Sequence, residues 1–292
     1  MGHNHGHKTK DKSGRNILIA FYLNASFSII ELIGGFYTNS MAIMSDALHD
    51  FGDSLALLFA YFAEKFSQKE ADEKFSFGYR RFSVLAAFIN GAILLIGSSY
   101  VLFESFQRVF HPEAVKPEGM MALAVLGILV NGVAAYKLSH TEGMNAKMVS
   151  LHLLEDLFGW IAVLIVSIIL IFKPWYILDS ILSILISIII LKGVFKNFKQ
   201  IGNIFLQRFP ENLDVPELKK DLLSLNLVND VHGLKAWSID EDSFYLRLHI
   251  LVPKGTQVEE LDRIREEAKI IFSRFSIKYS SVEFESETKG DC

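Results

Sequence analysis

Apolar and polar positions alternate in blocks along this chain. Six mostly apolar blocks, at roughly 15–36, 41–63, 82–107, 118–138, 146–172 and 175–196, are separated by short polar stretches. A helix needs about 20 such residues to cross the hydrocarbon core of a bilayer, so each block predicts a membrane-spanning helix. The alternating pattern that a membrane strand requires is missing, which leaves helices as the spanning form. The second and fifth blocks qualify only if their polar residues face the protein interior.

Beyond about Phe209 the pattern changes. "VPELKKDLLSL" predicts a short amphipathic helix, while "DVHGLKAWSID" and "SFYLRLHILVP" predict two strands joined by a turn at Asp240–Asp242. "TQVEELDRIREEAKIIFSRF" has helical periodicity, with Thr256 placed to cap it and Glu259 three residues later. "IKYSSVEFES" predicts a last strand. The order αββαβ implies a small α+β sandwich with helices on one face of a sheet. The predicted organisation is a His-containing tail over 1–14, a six-span membrane domain over 15–200 and a soluble cytoplasmic domain over 209–292.

Composition and charge sharpen this picture. The 292 residues are 51% hydrophobic, with a mean hydropathy of +0.30, too apolar for an ordinary soluble enzyme. A net charge of −4 predicts no nucleic-acid partner. The single cysteine, Cys292, excludes an intrachain disulfide and thiolate metal chemistry as the main activity. The polar N-terminus predicts no cleavable leader. Fifteen Lys and Arg lie over 8–15, in the 64–81 and 137–147 loops and over 192–208; the opposite side has three, Arg108, Lys116 and Lys173. The positive-inside rule then puts both termini in the cytoplasm.

The chemistry concentrates in the second and fifth blocks. His49 and Asp53 are four residues apart, and so are His152 and Asp156. Residues at this spacing project from one face of a helix. Two such helices facing each other supply two nitrogen and two oxygen donors, a tetrahedral set suited to zinc. The set lacks the thiolates copper(I) favours and has too few oxygens for calcium or magnesium. Ionisable groups inside a membrane are costly and mark ion pathways. Asp46 and Asp50 share the broad face of His49 and Asp53 and read as cap, vestibule or relay groups; Glu155 is ambiguous between these roles.

A histidine must be neutral to bind metal, so zinc and protons compete for one site. That competition is the chemical requirement for zinc/proton exchange. No G-x-x-x-x-G-K-[ST] motif is present, and the chain reads as a transporter rather than an enzyme. Two other classes fit some of these features. One is a membrane zinc sensor or receptor without flux; the other is a passive metal channel. Paired intramembrane sites argue against the first, and a tight tetrahedral site would hold zinc too long for the second.

The segments "NSMAIMSDALHDFGDSLAL", "FSFGYRRFSVLAAFINGAILL", "NAKMVSLHLLEDLFGWIAVLI" and "VHGLKAWSI" resemble, in that order, the cation diffusion facilitator family, particularly its bacterial zinc-exporting branch. The resemblance covers nearly the whole chain. It implies six spans, cytoplasmic termini, a ferredoxin-like C-terminal domain, a homodimer in a bacterial cell membrane, and a transport site at His49, Asp53, His152 and Asp156. Histidine at both first positions implies zinc, with cobalt or cadmium as lesser substrates. The chain departs from the family at Phe75, where many members have a loop histidine, and at Lys235, where many have a second histidine of H-x-L-H-x-W. His232 and His249 remain for a reduced regulatory zinc site, with ordinary strand roles as the alternative. Trp237 reads as core. His3, His5 and His7 form a short tract that can capture zinc, while His111 and His140 read as loop residues.

Overall fold

The computed structural model describes the backbone of residues 6–67, 71–139, 144–240 and 243–286, and the side chains of 21–62, 71–136, 153–240 and 243–286. Six long helices come first: α1 (Gly6–Thr38), α2 (Met41–Ser67), α3 (Arg81–Phe110), α4 (Pro117–Ser139), α5 (Met144–Phe172) and α6 (Ile177–Phe205). They are followed by α7 (Val215–Leu223), β1 (Asp230–Ser238), β2 (Phe244–Leu251), α8 (Val258–Arg274) and β3 (Ile277–Glu285). The chain divides into two compact units. One comprises Met1–Glu64 with Ala86–Phe198, the other Lys65–Leu85 with Lys199–Cys292. His3, His5 and His140, the side chain of His7, and the turn residues Glu241 and Asp242 lie outside the described residues.

In the first unit the expected blocks appear as continuous helices. Among the described residues four segments are long and apolar enough to cross a membrane: Arg81–Phe110, Pro117–Tyr136, Leu153–Phe172 and Ile177–Phe205. The chain is a multi-pass membrane protein. In α2 the three aspartates at 46, 50 and 53 interrupt the apolar run. Large apolar side chains such as Phe103, Phe172 and Ile189 point outward, which water would penalise and lipid rewards. The interior is built instead from small and polar residues. Ser45 bonds Ser187 at 3.0 Å, Ser105 donates to Ser183 at 2.8 Å, and Ser183 donates to the Met41 carbonyl at 3.0 Å. Small hydroxyl residues let helices approach and bond across the interface. A local apolar core gathers Ile43, Met120, Val163 and Trp160.

The α1–α2 turn is held by polar groups far off in sequence. Asn39 takes a left-handed φ of 58° just past α1, a conformation asparagine tolerates. Ser40 accepts from the Ile43 amide at 3.2 Å as the cap of α2. Asp179, in the first turn of α6, accepts from the Ser40 hydroxyl at 2.5 Å and the Met41 amide at 2.8 Å. A carboxylate there satisfies orphan amides and favours the positive end of the helix. Arg108 completes the tie by donating to the Asn39 carbonyl and side chain, both at 3.1 Å.

The second unit is a three-stranded sheet ordered β1-β2-β3. β1 and β2 pair antiparallel, and β2 and β3 pair parallel through the α8 crossover. Leu218 and Leu222 of α7 and Ile264, Ala268 and Phe272 of α8 pack on Leu246, Leu248 and Ile250. Asp214 caps α7 by accepting from the Glu217 amide at 3.0 Å. At α8 the expected cap moves by one residue. Gln257 is the N-cap, and its amide donates to Glu260 at 3.1 Å. Thr256 instead donates to the Pro253 carbonyl at 2.7 Å, because the preceding turn claims its hydroxyl. Trp237 is half-buried rather than core, stacked on Tyr245 at 4.3 Å.

Residues 71–80 belong to the second unit and form a built loop. Asp72 accepts from the Lys74 and Phe75 amides, both at 2.8 Å, and from the Tyr79 hydroxyl at 2.9 Å. Arg80 donates to Asp240 at 3.2 Å and Ser243 at 3.0 Å, and Phe77 stands edge-on to Tyr245 and Tyr279.

Candidate metal site

In α2, His49 and Asp53 follow one another by a helical turn, so their side chains share a face. His49 Nε2 and Asp53 Oδ2 are 3.8 Å apart, and each side chain keeps 30% of its exposure. A half-open imidazole and carboxylate at this spacing can converge on one ion entering between them. In α5, Asp156 is buried and Glu155 is exposed, so α5 turns Asp156, not its acidic neighbour, inward. His152 lies on α5 one turn before Asp156, and its side chain is outside the described residues. Asp156 acts electrostatically on Asp46 and Asp50 of α2, so α5 and α2 direct carboxyls into one neighbourhood. His49, Asp53 and Asp156 are not drawn within 4.8 Å of one another as a ready-made cluster.

The structure adds three acids that spacing alone ranks lower. Asp46 and Asp50 are almost fully buried, and Glu31 of α1 is wholly buried. Glu31 lies against Asp50 and within electrostatic range of Asp46 and Asp156. Behind Asp50, Asn24 of α1 donates to the Asp50 carbonyl and to Ser54, both at 3.0 Å. Its amide thus fastens α1 to α2 under the acidic face. The signal was present in the sequence: Asp46 and Asp50 are themselves four apart, and Glu31 is an ionisable residue inside an apolar block. What the sequence did not carry was which helix faces would meet.

A second group of donors lies in the second unit. It is the one triad of His, Asp or Glu among the described residues whose ligand atoms lie within 4.8 Å of one another: His232, His249 and Glu285. Cross-strand register pairs His232 with His249, and β3 brings Glu285 beside them. His249 Nδ1 is 2.7 Å from Glu285 Oε1, and His232 Nε2 is 3.3 Å from Glu285 Oε2. Gly233, with φ +60°, makes the bulge in β1; a β-carbon there would come within 3.2 Å of the His249 ring. The His249 hydrogen bond, before the opposing desolvation, holds the Glu285 carboxyl below the usual glutamate range. Glu285 escapes a search for histidine-rich motifs because its role depends on strand register.

An acid-rich cluster that includes His49 thus lies inside a unit of long apolar helices, joined in one chain to a small α+β unit. Residues 17–206 match the cation efflux transmembrane domain, and residues 210–286 match the cytoplasmic domain of cation efflux proteins. The chain belongs to the cation efflux family, whose members are transporters and not enzymes. It is 31% identical over 291 residues to the cadmium, cobalt and zinc/H(+)-K(+) antiporter of Bacillus subtilis, covering 98% of this chain and 93% of that protein. It is 32% identical over 294 residues to the zinc transporter ZitB of Escherichia coli K12, covering 98% and 93%. It is 31% identical over 288 residues to the metal cation efflux system protein CzcD of Cupriavidus metallidurans, covering 98% and 90%.

Proposed function

We propose that this protein exports Zn2+ from the cytoplasm in exchange for protons, with Co2+ and Cd2+ as further substrates. The transport site is a tetrahedral set of His49, Asp53, His152 and Asp156, exposed to each side in turn by alternating access. The observation that carries this reading is the surplus of acid. Glu31, Asp46, Asp50, Asp53 and Asp156 act on one another within the helices. One dication balances two negative charges, and leaving the others bare inside a membrane domain is costly. Exchanging metal for protons keeps such a cluster close to neutrality in both directions of transport. The names of the Bacillus relative, an antiporter, and of ZitB, a zinc transporter, support the same reading.

All six long helices span the membrane, and the loop charges put both termini in the cytoplasm of a bacterial cell. The C-terminal unit is ferredoxin-like, mediates a homodimer and holds a regulatory zinc at His232, His249 and Glu285. Two nitrogens and a carboxylate are three of the four ligands zinc prefers, leaving one for water or a fourth side chain. The His3, His5 and His7 tract delivers zinc to the transport site.

The test is zinc uptake into proteoliposomes with and without an imposed pH gradient. Uptake that depends on the gradient and is lost in Asp156→Ala is the expected result. Uptake by Asp156→Ala at the wild-type rate refutes the four-ligand site. Binding without flux would make the protein a membrane zinc sensor, and flux indifferent to the gradient would make it a passive channel.

A further inference from the structure

The second unit contains a cavity of about 420 Å³ between the 71–80 loop, the first turn of α3 and the last turn of α6. Its walls are apolar, with Phe75, Phe82, Leu85 and Phe205 among them, and two cations, Lys74 and Arg81, belong to its lining. Arg81 is the first residue of one membrane-crossing segment and Phe205 the last residue of another. The cavity therefore lies at the ends of two helices that are long and apolar enough to cross a membrane.

Three neighbouring cations divide their tasks. Arg80 is committed to Asp240 and Ser243. Lys74 and Arg81 form no ion pair among the described residues. The loop backbone that carries Lys74 is pinned by Asp72, so this charge is presented by a fixed turn. On α3, Phe82, Leu85 and Ile89 follow at helical spacing and are all exposed, at 39%, 44% and 42%. Phe82 and Leu85 of this stripe line the cavity.

We infer that this cavity is a binding site for an acidic glycerophospholipid, with Lys74 and Arg81 on the phosphate and an acyl chain against Phe82 and Leu85. Charge complementarity selects the occupant. Two cations beside an apolar wall at the ends of two membrane-crossing segments suit an amphipathic anion, and anionic lipid is the one that a bilayer supplies. A volume in the range of small-molecule pockets accommodates a headgroup and the start of a chain, but not a whole lipid. The lipid joins the base of α3, the end of α6 and the loop that Arg80 fixes to the cytoplasmic sheet.

The experiment is native mass spectrometry of the full-length protein, delipidated and titrated with phosphatidylglycerol or phosphatidylcholine. One phosphatidylglycerol per chain should be retained, on the order of 30-fold more tightly than phosphatidylcholine, as expected for two basic contacts. Lys74→Gln with Arg81→Gln should abolish that preference and leave phosphatidylcholine binding unchanged. Leu85→Trp, which fills the cavity and keeps both charges, should also expel the retained lipid, so the test does not hang on one variant. A Lys235→Gln control should retain the preference. Equal retention of the two lipids, or an unchanged preference in both cavity variants, overturns the inference. So does a photo-crosslinker at position 82 that captures a second copy of the chain instead of lipid.

Discussion

Asp46 of α2 lies against Gly159 of α5: a β-carbon at position 159 would stand 3.6 Å from Asp46 Oδ1. That distance is ordinary contact, so one methyl fits and anything larger enters the acidic cluster. Gly159→Ala should retain zinc flux within about threefold of wild type. Gly159→Leu should reduce flux at least about tenfold, by displacing Asp46 and separating α2 from Asp156; overpacking of this kind costs about 1–3 kcal/mol. Flux in proteoliposomes, read beside thermal unfolding, separates a blocked site from an unfolded protein. Equal loss in the two variants would mean that backbone freedom, not space, matters at this position.

Gly127 makes the opposite case. A β-carbon there would lie 2.3 Å from Cδ2 of the buried Trp160. Trp160 is fully enclosed and is held edge-on by Phe27 at 6.2 Å, so the indole has nowhere to retreat. Gly127→Ala should therefore destabilise the helical unit by about 1–3 kcal/mol, despite alanine's better helix propensity. A lowered thermal midpoint in detergent checks it, and Trp160→Phe in the same chain should recover part of the loss.

These two contacts also mark how far the sequence could be read. Period and length located α3 to α6 and the order of α7, β1, β2, α8 and β3, because those signals are local. The cap of α8 slipped from Thr256 to Gln257 because two adjacent polar residues compete for one role. The grip of Asp179 on Ser40 and Met41 joins residues more than a hundred positions apart, and no local pattern announces it. The same holds in the site. The i, i+4 spacing puts His49 and Asp53 on one helix face, 3.8 Å apart, whereas the burial of Glu31 beside Asp50 depends on how α1 lies against α2.

Arg80 links the 71–80 loop to the β1–β2 turn through Asp240 and Ser243. Both charged side chains are mostly buried, at 22% and 14% exposure. Hydrogen bonds to charged groups contribute about 1.5–3 kcal/mol each. Arg80→Ala should therefore loosen the loop without unfolding the sheet, whose core has no part in the contact. Hydrogen exchange should accelerate in residues 71–80 and stay slow in β2. Acceleration throughout β2 as well would show that the link supports the whole unit.

Glu285 gives the cytoplasmic unit a pH dependence of definite sign. Its carboxyl is held below the ordinary glutamate value of 4.5, chiefly by the His249 hydrogen bond. A carboxyl with a depressed folded pKa contributes its full stabilisation above the unfolded value, and loses it as pH falls through the folded one. Stability of the metal-free protein should thus drop on acidification below about pH 4.5, and Glu285→Gln should flatten that part of the profile. Chemical denaturation of the full chain carrying Trp160→Phe and Trp175→Phe at stepped pH, followed by Trp237 fluorescence, measures it. At neutral pH, Glu285→Gln should also weaken zinc binding to the cytoplasmic unit by at least about tenfold, since it removes the anionic member of the three proposed ligands.

Glu31 tests the exchange itself. It is wholly buried, lies against Asp50 and acts on Asp46 and Asp156, but it is not among the four residues assigned to the metal. Glu31→Gln keeps the shape and removes an ionisable group, so packing is nearly conserved while the charge the cluster can exchange is reduced. If metal for proton is the transaction, zinc binding should change by less than about threefold, while flux driven by a pH gradient should fall at least about tenfold. Asp53→Ala should behave differently and lose both binding and flux, because it removes one of the four proposed ligands. Calorimetric zinc titration of the purified protein, paired with gradient-driven uptake in proteoliposomes, reads the two effects separately. Equal loss of binding and flux in Glu31→Gln would make this residue a fifth ligand, and unchanged flux would remove it from the exchange altogether.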